Sequence, residues 1–299
     1  MGECMSIFKL SVFGGQGFIG SKFIEQTTQQ VRVMPHRDLS VNIFDHDVLN
    51  FISTVDNYNV FENPYVDIDT NLTGLIKLLE SWRNRVEYKQ DFGCFNFVSS
   101  WFVYGNEYGP RFLGNEIGPN GFGARETDRC DPKGFYGITK RAAEQLLISY
   151  CETYGLNYRI LRLANVIGPG DKKVSKKKNA FTYMVNQLKE DKKIEIYGDG
   201  NFYRDFIHVD DCVTAIDLVL TKGDQNTIYN IGGGIPINFR EAIELAWAKT
   251  GSRSEIVNIQ SSDFHKVVQS KSFFMCTEKL QRLGFTPKYT MESMIDSLL

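Results

Sequence analysis

Apolar residues follow two different periods along this chain, and the two kinds of segment take turns. Short blocks with little polar interruption lie at 7–13, 31–34, 48–53, 94–98, 158–162, 194–197 and 227–231. Between them apolar residues recur every three or four positions, as where Leu72, Leu75, Ile76, Leu78 and Leu79 form one stripe within 69–83. The first kind predicts buried strands, and the second predicts helices at 18–30, 69–83, 135–154, 181–190, 212–220, 239–250 and 277–283. Asp210 or Asp211 is placed to cap the helix at 212–220. Strands alternating with helices imply an α/β protein, a parallel sheet covered on both faces. The spacer 39–47 is too short for a further helix and strand. The stretch 105–134, with Pro110, Pro119 and Pro132, reads as a long loop of the kind that is usually functional.

The turn after the first strand gives the sheet a ligand. Gly14, Gly17 and Gly20 make G-x-x-G-x-x-G, and Gly15, Gly17 and Gly20 make G-x-G-x-x-G. Both are dinucleotide fingerprints, because a strand-to-helix turn without Cβ atoms lets backbone N–H groups approach a pyrophosphate at a helix N-terminus. The expected cofactor-binding residues are therefore Gly14, Gly17, Phe18, Ile19 and Gly20, with Ile52 at the end of the 48–53 strand. An acid at the end of the second strand favours NAD, and a basic residue there accommodates the 2′-phosphate of NADP. That strand runs into Pro35, His36, Arg37 and Asp38. His36 and Arg37 point to NADP, and Asp38 keeps NAD as the alternative.

Composition mainly removes possibilities. The 299 residues, 42% hydrophobic and 23% charged, can bury one large core or two smaller ones. A net charge of −2 offers no broad basic field for nucleic acid or an anionic membrane. The six cysteines are scattered without a C-x-x-C pair, which argues against a metal site or disulfide framework and suits a reducing cytoplasm. No apolar run is long enough to span a bilayer. Met1 to Ser6 also fits a myristoylation pattern with Cys4 beside it, but a strand is expected almost at once afterwards. Five lysines within 171–178 read as a solvated loop.

The chemistry is concentrated in two short stretches. Tyr136 and Lys140 stand four apart in the long helix, which puts both side chains on one face. A buried phenol serves as acid or base when its pKa, ordinarily about 10, is brought towards neutrality, and a nearby ammonium favours the phenolate. Ser99 and Ser100 end a strand at the carboxyl edge, where open α/β sheets hold their ligands.

The glycine turn, the Ser99-Ser100 strand end and Tyr136-x-x-x-Lys140, in this order, resemble the extended short-chain dehydrogenase/reductase family, whose nucleotide-sugar members are called NAD-dependent epimerase/dehydratases. Arg162-Leu163-Ala164-Asn165-Val166-Ile167-Gly168-Pro169-Gly170 is similar to its R-x-x-N-V-Y-G-P-G, and Ile196 to Gly200 to its I-Y-G-D-G. Arg204 to Asp211 is similar to its R-D-F-I-H-V-D-D. The resemblance implies a doubly wound parallel sheet of Rossmann type, at 1–164 and 206–232, with a second, smaller α/β substrate domain at 165–205 and 233–299. It implies that Tyr136 is the general acid/base, that Lys140 holds the nicotinamide ribose and lowers the tyrosine pKa, and that Ser100 hydrogen-bonds the reacting oxygen. Asn165 and Arg204 match positions that contact the nucleotide diphosphate, and Trp101 lies beside Ser100 on the substrate side. The partner implied is a nucleotide-diphosphate sugar, and the assembly a cytoplasmic homodimer packed through 69–83 and 135–154.

Departures from the family pattern narrow the reaction. Dehydratases of the family carry acidic residues directly after the catalytic Ser or Thr, where this chain has Trp101 and Phe102. Two reactions remain: a 4-ketoreductase using NADPH, or a 4-epimerase that keeps NAD bound. His36, Arg37 and the short 39–47 spacer favour the reductase. A non-catalytic dinucleotide-binding regulatory module is the alternative of a different class, and the intact Ser100, Tyr136 and Lys140 argue against it.

Overall fold

The structure is a computed structural model that describes residues 10–35, 47–54, 58–86, 93–105, 112–113, 116–117, 123–172, 174–175, 178–268 and 272–299. In the first half, β1 (Leu10–Phe13) leads through the glycine turn to α1 (Phe18–Gln26), β2 (Val31–Val33) and β3 (Asp47–Asn50). Two short helices, α2 (Asn59–Glu62) and α3 (Tyr65–Ile68), precede a wide π turn at Asp69–Thr73 and α4 (Gly74–Val86). β4 (Cys94–Ser100) ends in a 3-10 turn at Trp101–Val103. A small hairpin, β5 (Phe112–Leu113) and β6 (Glu116–Ile117), interrupts the long loop before α5 (Gly134–Tyr154) and β7 (Asn157–Leu163).

The second half runs β8 (Asn165–Ile167), α6 (Ala180–Lys189), β9 (Ile194–Tyr197), β10 (Tyr203–Arg204), β11 (Phe206–His208), α7 (Val209–Lys222) and β12 (Thr227–Ile231). It ends with β13 (Ile237–Asn238), α8 (Phe239–Thr250), β14 (Ile256–Ile259), α9 (Asp263–Val268), α10 (Glu278–Arg282) and α11 (Met291–Asp296).

Six strands form one parallel sheet in the order β12-β7-β4-β3-β1-β2. Strand alternation sorts side chains to the two faces. Val12, Leu49, Val98 and Leu161 pack with Phe23 of α1 and Ile216 of α7. Their neighbours Phe13, Val48, Phe97 and Ile160 pack with Leu75, Leu78 and Leu79 of α4 and Leu147 of α5. This is the doubly wound parallel architecture that the sequence implies. The chain leaves β1 towards β2 on one side and returns to β3 on the other, so the strand order reverses at β1/β3, the place where such sheets bind ligands.

A separate core lies around α6 and α8, where Phe181, Val185, Leu188, Ile194, Ile196, Phe206, Phe239 and Ile243 are buried together. Here the strands are paired only in twos, β8 with β11, β9 with β14 and β10 with β13. Phe273, Met275, Leu280 and Phe285 do not join that core; they pack against the main sheet.

Several element boundaries differ from the sequence reading, and three of the differences trace to a tertiary contact. The first helix ends at Gln26 rather than at 30, because Thr27 Oγ1 and Gln29 Nε2 turn to donate to Asp217 of α7 at 2.8 and 2.6 Å. The start of the 69–83 helix is a π turn, where Asn71 Nδ2 donates to Thr54 Oγ1 at 2.9 Å and to Thr139 Oγ1 at 3.0 Å. The third concerns α7, which is not capped by Asp210 or Asp211. Asp211 Oδ2 accepts from the backbone of Lys288 and Tyr289, and Asp210 accepts from Tyr289 Oη and Gln26 Nε2.

The cap of α7 is His208, whose Nδ1 accepts from Asp210 N–H at 3.2 Å. Its Nε2 lies 3.1 Å from Ser297 Oγ, which itself donates to Met294 O, so Nε2 carries the proton. Tyr289 stacks on the ring at 3.6 Å. Burial holds His208 below the ordinary histidine pKa, in spite of the Asp210 carboxylate 3.5 Å away. Since the unfolded chain takes up this proton at higher pH than the native one, the cap contributes fully above the unfolded pKa, about 6.5, and its contribution is lost as pH falls through the native value. Melting curves from pH 7.5 down to 5 are expected to show a steeper acid loss for the wild type than for His208→Asn, which keeps a capping acceptor without a titrating ring. Parallel curves would contradict this.

Candidate active site

The carboxyl end of β4 supplies Ser99 and Ser100, in a strand whose seven residues are all buried. Ser100 Oγ caps the following 3-10 turn by accepting from Phe102 N–H. The first turn of α5 lies directly on this turn: a Cβ at Gly137 would come within 2.9 Å of Phe102 O, so a larger residue would push the helix away. That approach brings Tyr136 edge-on to the Phe102 ring at 5.6 Å, 8% exposed.

Burial pushes the Tyr136 phenol up, hydrogen bonding with the Ser100 and Ser53 hydroxyls pulls it partly back, and the Asp67 charge adds to the rise. Here the structure corrects the reading from spacing, because the downward pull comes from the two serines rather than from Lys140. Lys140 is 1% exposed, donates from Nζ to Val98 O at 2.8 Å and lies 4.5 Å from the Phe97 ring centroid. Burial pushes its pKa down to about 7, against the upward effect of Glu144.

Ser53 and Asp67 escaped the motif reading. Ser53 had one available signal, its place one residue after Ile52 at the same carboxyl edge as Ser100. Asp67 had none, since it looks like an ordinary polar position in a short helix. It is fully buried; Oδ1 accepts from Thr54 Oγ1 and Asn59 Nδ2, and Oδ2 has no hydrogen-bond partner among the described residues.

The crevice at β1/β3 is shaped for a dinucleotide. Gly14 has φ of 74°, and a Cβ at Gly20 would stand 2.4 Å from Gly14 O. Gly14 also lies against Ile52, whose N would be 3.0 Å from a Cβ there. Among the described residues no side chain caps α1 at Gly17, so its first N–H groups face outwards as an anion-binding end. These features fit a pyrophosphate, with Gly14, Gly17, Phe18, Ile19 and Gly20 on one side and Ile52 on the other. His36, Arg37 and Asp38 lie outside the described residues.

Beyond Ser100, Trp101 stacks on Phe102 at 4.1 Å and on Phe273 at 4.7 Å. The Arg204 guanidinium lies 4.4 Å from the Phe202 ring and 5.6 Å from the Trp101 ring, and burial pushes it down to about 10. Trp101 and Arg204 are therefore brought together, next to the serine end of β4. Asn165 is joined to this group through the backbone, since its Nδ2 donates to Asp205 O at 2.9 Å. Asp205 is fully buried and accepts from the N–H groups of Gly233, Gly234 and Met275. Burial pushes its carboxyl up to about 7 against those hydrogen bonds.

Among the described residues no three His, Cys, Asp or Glu side chains cluster as metal ligands, and no helix is long and apolar enough to cross a membrane. Of the basic run, Lys178 pairs with Asp171 at 3.2 Å, while Lys173, Lys176 and Lys177 lie outside the described residues.

Comparison with known proteins bears on the family and the fold. The family model described as NAD dependent epimerase/dehydratase family matches residues 10–232. The low-salt glycan biosynthesis protein Agl12 of Haloferax volcanii is 26% identical over 321 residues, covering 96% of each chain. A putative UDP-glucose 4-epimerase of Methanocaldococcus jannaschii is 27% identical over 313 residues, covering 95% of each. Among solved structures, that of RMD from Pseudomonas aeruginosa complexed with NADPH shares the fold at a TM-score of 0.79 and 23% identity, over 97% of both chains.

Proposed function

The chain belongs to the NAD dependent epimerase/dehydratase family, and from that premise we propose that it is a 4-ketoreductase that reduces a nucleotide-linked 4-ketohexose with NADPH. The observation that carries this reading is the place of Tyr136, buried and edge-on to Phe102 beside the Ser100 end of β4. Burial and the Asp67 charge push the phenol pKa up, in the direction of the acid form, and the Ser100 and Ser53 hydroxyls offset this only in part. A group that rests as an acid is ready to protonate a carbonyl oxygen, whereas an oxidation that starts from an alcohol needs a resting base. The aromatic pair Trp101 and Phe102, standing where a dehydratase needs an acid and a base, supports the same choice.

In this mechanism the substrate carbonyl oxygen lies between the Ser100 hydroxyl and the Tyr136 phenol. Ser100 donates a hydrogen bond that orients and polarises the carbonyl, and Tyr136 delivers the proton. Bound at Gly14, Gly17, Phe18, Ile19, Gly20 and Ile52, the dinucleotide supplies the hydride, with Lys140 on its nicotinamide ribose. His36 and Arg37 carry the preference for NADPH. Arg204, steadied by Phe202 and Trp101, meets the substrate diphosphate together with Asn165. The stacked Trp101, Phe102 and Phe273 keep water from the reacting carbon. The division into 1–164 with 206–232 and 165–205 with 233–299 belongs to this proposal, with the sugar nucleotide between the two parts.

The second reading is a 4-epimerase with tightly held NAD, favoured by the name of the Methanocaldococcus relative. The nucleotide released when the purified protein is denatured separates the two. The reductase is expected to release little, to bind NADPH and to oxidise one equivalent per nucleotide-linked 4-ketohexose consumed. Stoichiometric NAD in the supernatant, with interconversion of two 4-hydroxy sugar nucleotides, would establish the epimerase instead.

A further inference from the structure

Directly behind the catalytic group lies a buried carboxylate to which the reaction above gives no task. Glu144 stands on α5 one turn after Lys140 and is fully buried. Its Oε1 accepts from Ser99 Oγ at 2.7 Å and from Arg162 Nε at 2.9 Å. Its Oε2 accepts from Arg162 Nη2 at 2.7 Å and from Arg141 Nη1 at 2.8 Å. Arg162, on β7, is itself 1% exposed and lies 4.7 Å from the Tyr104 ring centroid. Four donors thus converge on one side chain from the two strands under the helix and from the helix itself.

A buried ion pair of this kind is rarely more stable than apolar residues of the same volume, so its presence calls for a role other than stability. Its position supplies one. Ser99 is the residue before Ser100, and Val98, the residue before that, holds Lys140 Nζ through its carbonyl. Glu144 therefore ties the last residues of β4 to the helix that carries Tyr136 and Lys140.

The charges around it are also unbalanced. Lys140, Arg141 and Arg162 are cations, Cys130 and Tyr104 lie close to Arg162, and Glu126, whose backbone carbonyl accepts from Arg162 Nη1 at 3.4 Å, is the second acid on that side. Glu144 is the carboxylate whose charge supports the Lys140 ammonium against burial, with the Val98 carbonyl and the Phe97 ring as its uncharged neighbours.

We propose that Glu144 is the positioning residue of the catalytic group: held by Ser99 and Arg162, it fixes the register of Ser100, Tyr136 and Lys140 and sets a carboxylate one helical turn from the Lys140 side chain. The inference rests on the reading of those three residues as the reacting group, but its main test does not need turnover. Protein labelled with carbon-13 at lysine Cε is titrated by NMR without cofactor, with Lys140→Arg assigning the resonance. Lys140 in the wild type should titrate near 7. In Glu144→Gln its midpoint should fall by about one pH unit or more, and in Glu144→Asp, which keeps the charge, it should stay close to the wild type.

Superimposable curves for the wild type and Glu144→Gln would overturn the proposal. If Glu144→Gln does not fold, Ser99→Ala tests the tie alone, since it keeps the ion pair. Its kcat should drop about tenfold or more with KM little changed, as a slight misplacement of reacting groups does, and an unchanged kcat would refute the positioning role. A wild type that titrates as expected but reduces no ketosugar would count against the proposed reaction and leave the titration result standing.

Discussion

Tyr136→Phe is expected to lower the rate of carbonyl reduction by about a thousandfold, within the range usual for loss of a general acid, while dinucleotide binding changes little. The substitution deletes one oxygen from a side chain that is 8% exposed and edge-packed on Phe102, so the ring contacts and the start of α5 persist. What disappears is the proton, together with the hydrogen bonding to Ser100 and Ser53. Ser100 has an ordinary alcohol hydroxyl, too weak an acid to take over. Single-turnover oxidation of NADPH on mixing with a nucleotide-linked 4-ketohexose, followed at 340 nm, measures the effect. A rate within tenfold of the wild type would remove Tyr136 from the mechanism, and unaltered NADPH titration of the same sample would show that the site is otherwise whole.

The second large effect is structural. Asp205→Ala should destabilise the fold by about 3–5 kcal/mol, because three N–H groups, that of Met275 buried and those of Gly233 and Gly234 part-buried, lose their acceptor at once. Those donors belong to Gly233 and Gly234, where the chain leaves β12, and to Met275, in the core of the main sheet. One carboxylate holds together two segments that are 42 residues apart in sequence, next to Arg204 and to Asn165. Asp205→Asn keeps the shape but turns an NH₂ group towards an N–H donor, and should cost about half as much. Urea unfolding of the two variants checks both. A loss under 1 kcal/mol for Asp205→Ala would mean that water or a neighbouring carbonyl replaces the carboxylate.

Much of this site could be read from the chain because it is built from local motifs at the ends of strands. Gly14 to Gly20 declares itself through spacing, since a Cβ at Gly20 would collide with Gly14 O within the same turn. Tyr136 and Lys140 share a helix face by periodicity alone, and Ser100 is marked by being last in a buried strand. The strands at 194–197 and 227–231 and the helix at 239–250 come out with the bounds that the apolar pattern gives them. Short two-residue strands such as β10 and β13 were not legible, because two residues carry no period.

The sequence by itself determined the doubly wound sheet, the dinucleotide turn and the identity of the proposed reacting side chains, because each depends on spacing within one element or across one turn. The tertiary structure decided what surrounds them. That Ser53 and Asp67 act on the Tyr136 phenol, that Lys140 donates to the Val98 carbonyl, and that His208 meets Ser297 while Asp211 binds the backbone of 288–289 are all contacts between distant segments. Hydrogen-bond partners and burial fix a side chain's charge, and both are properties of the packed chain. The residue type supplies the group, and the fold sets its protonation and its aim.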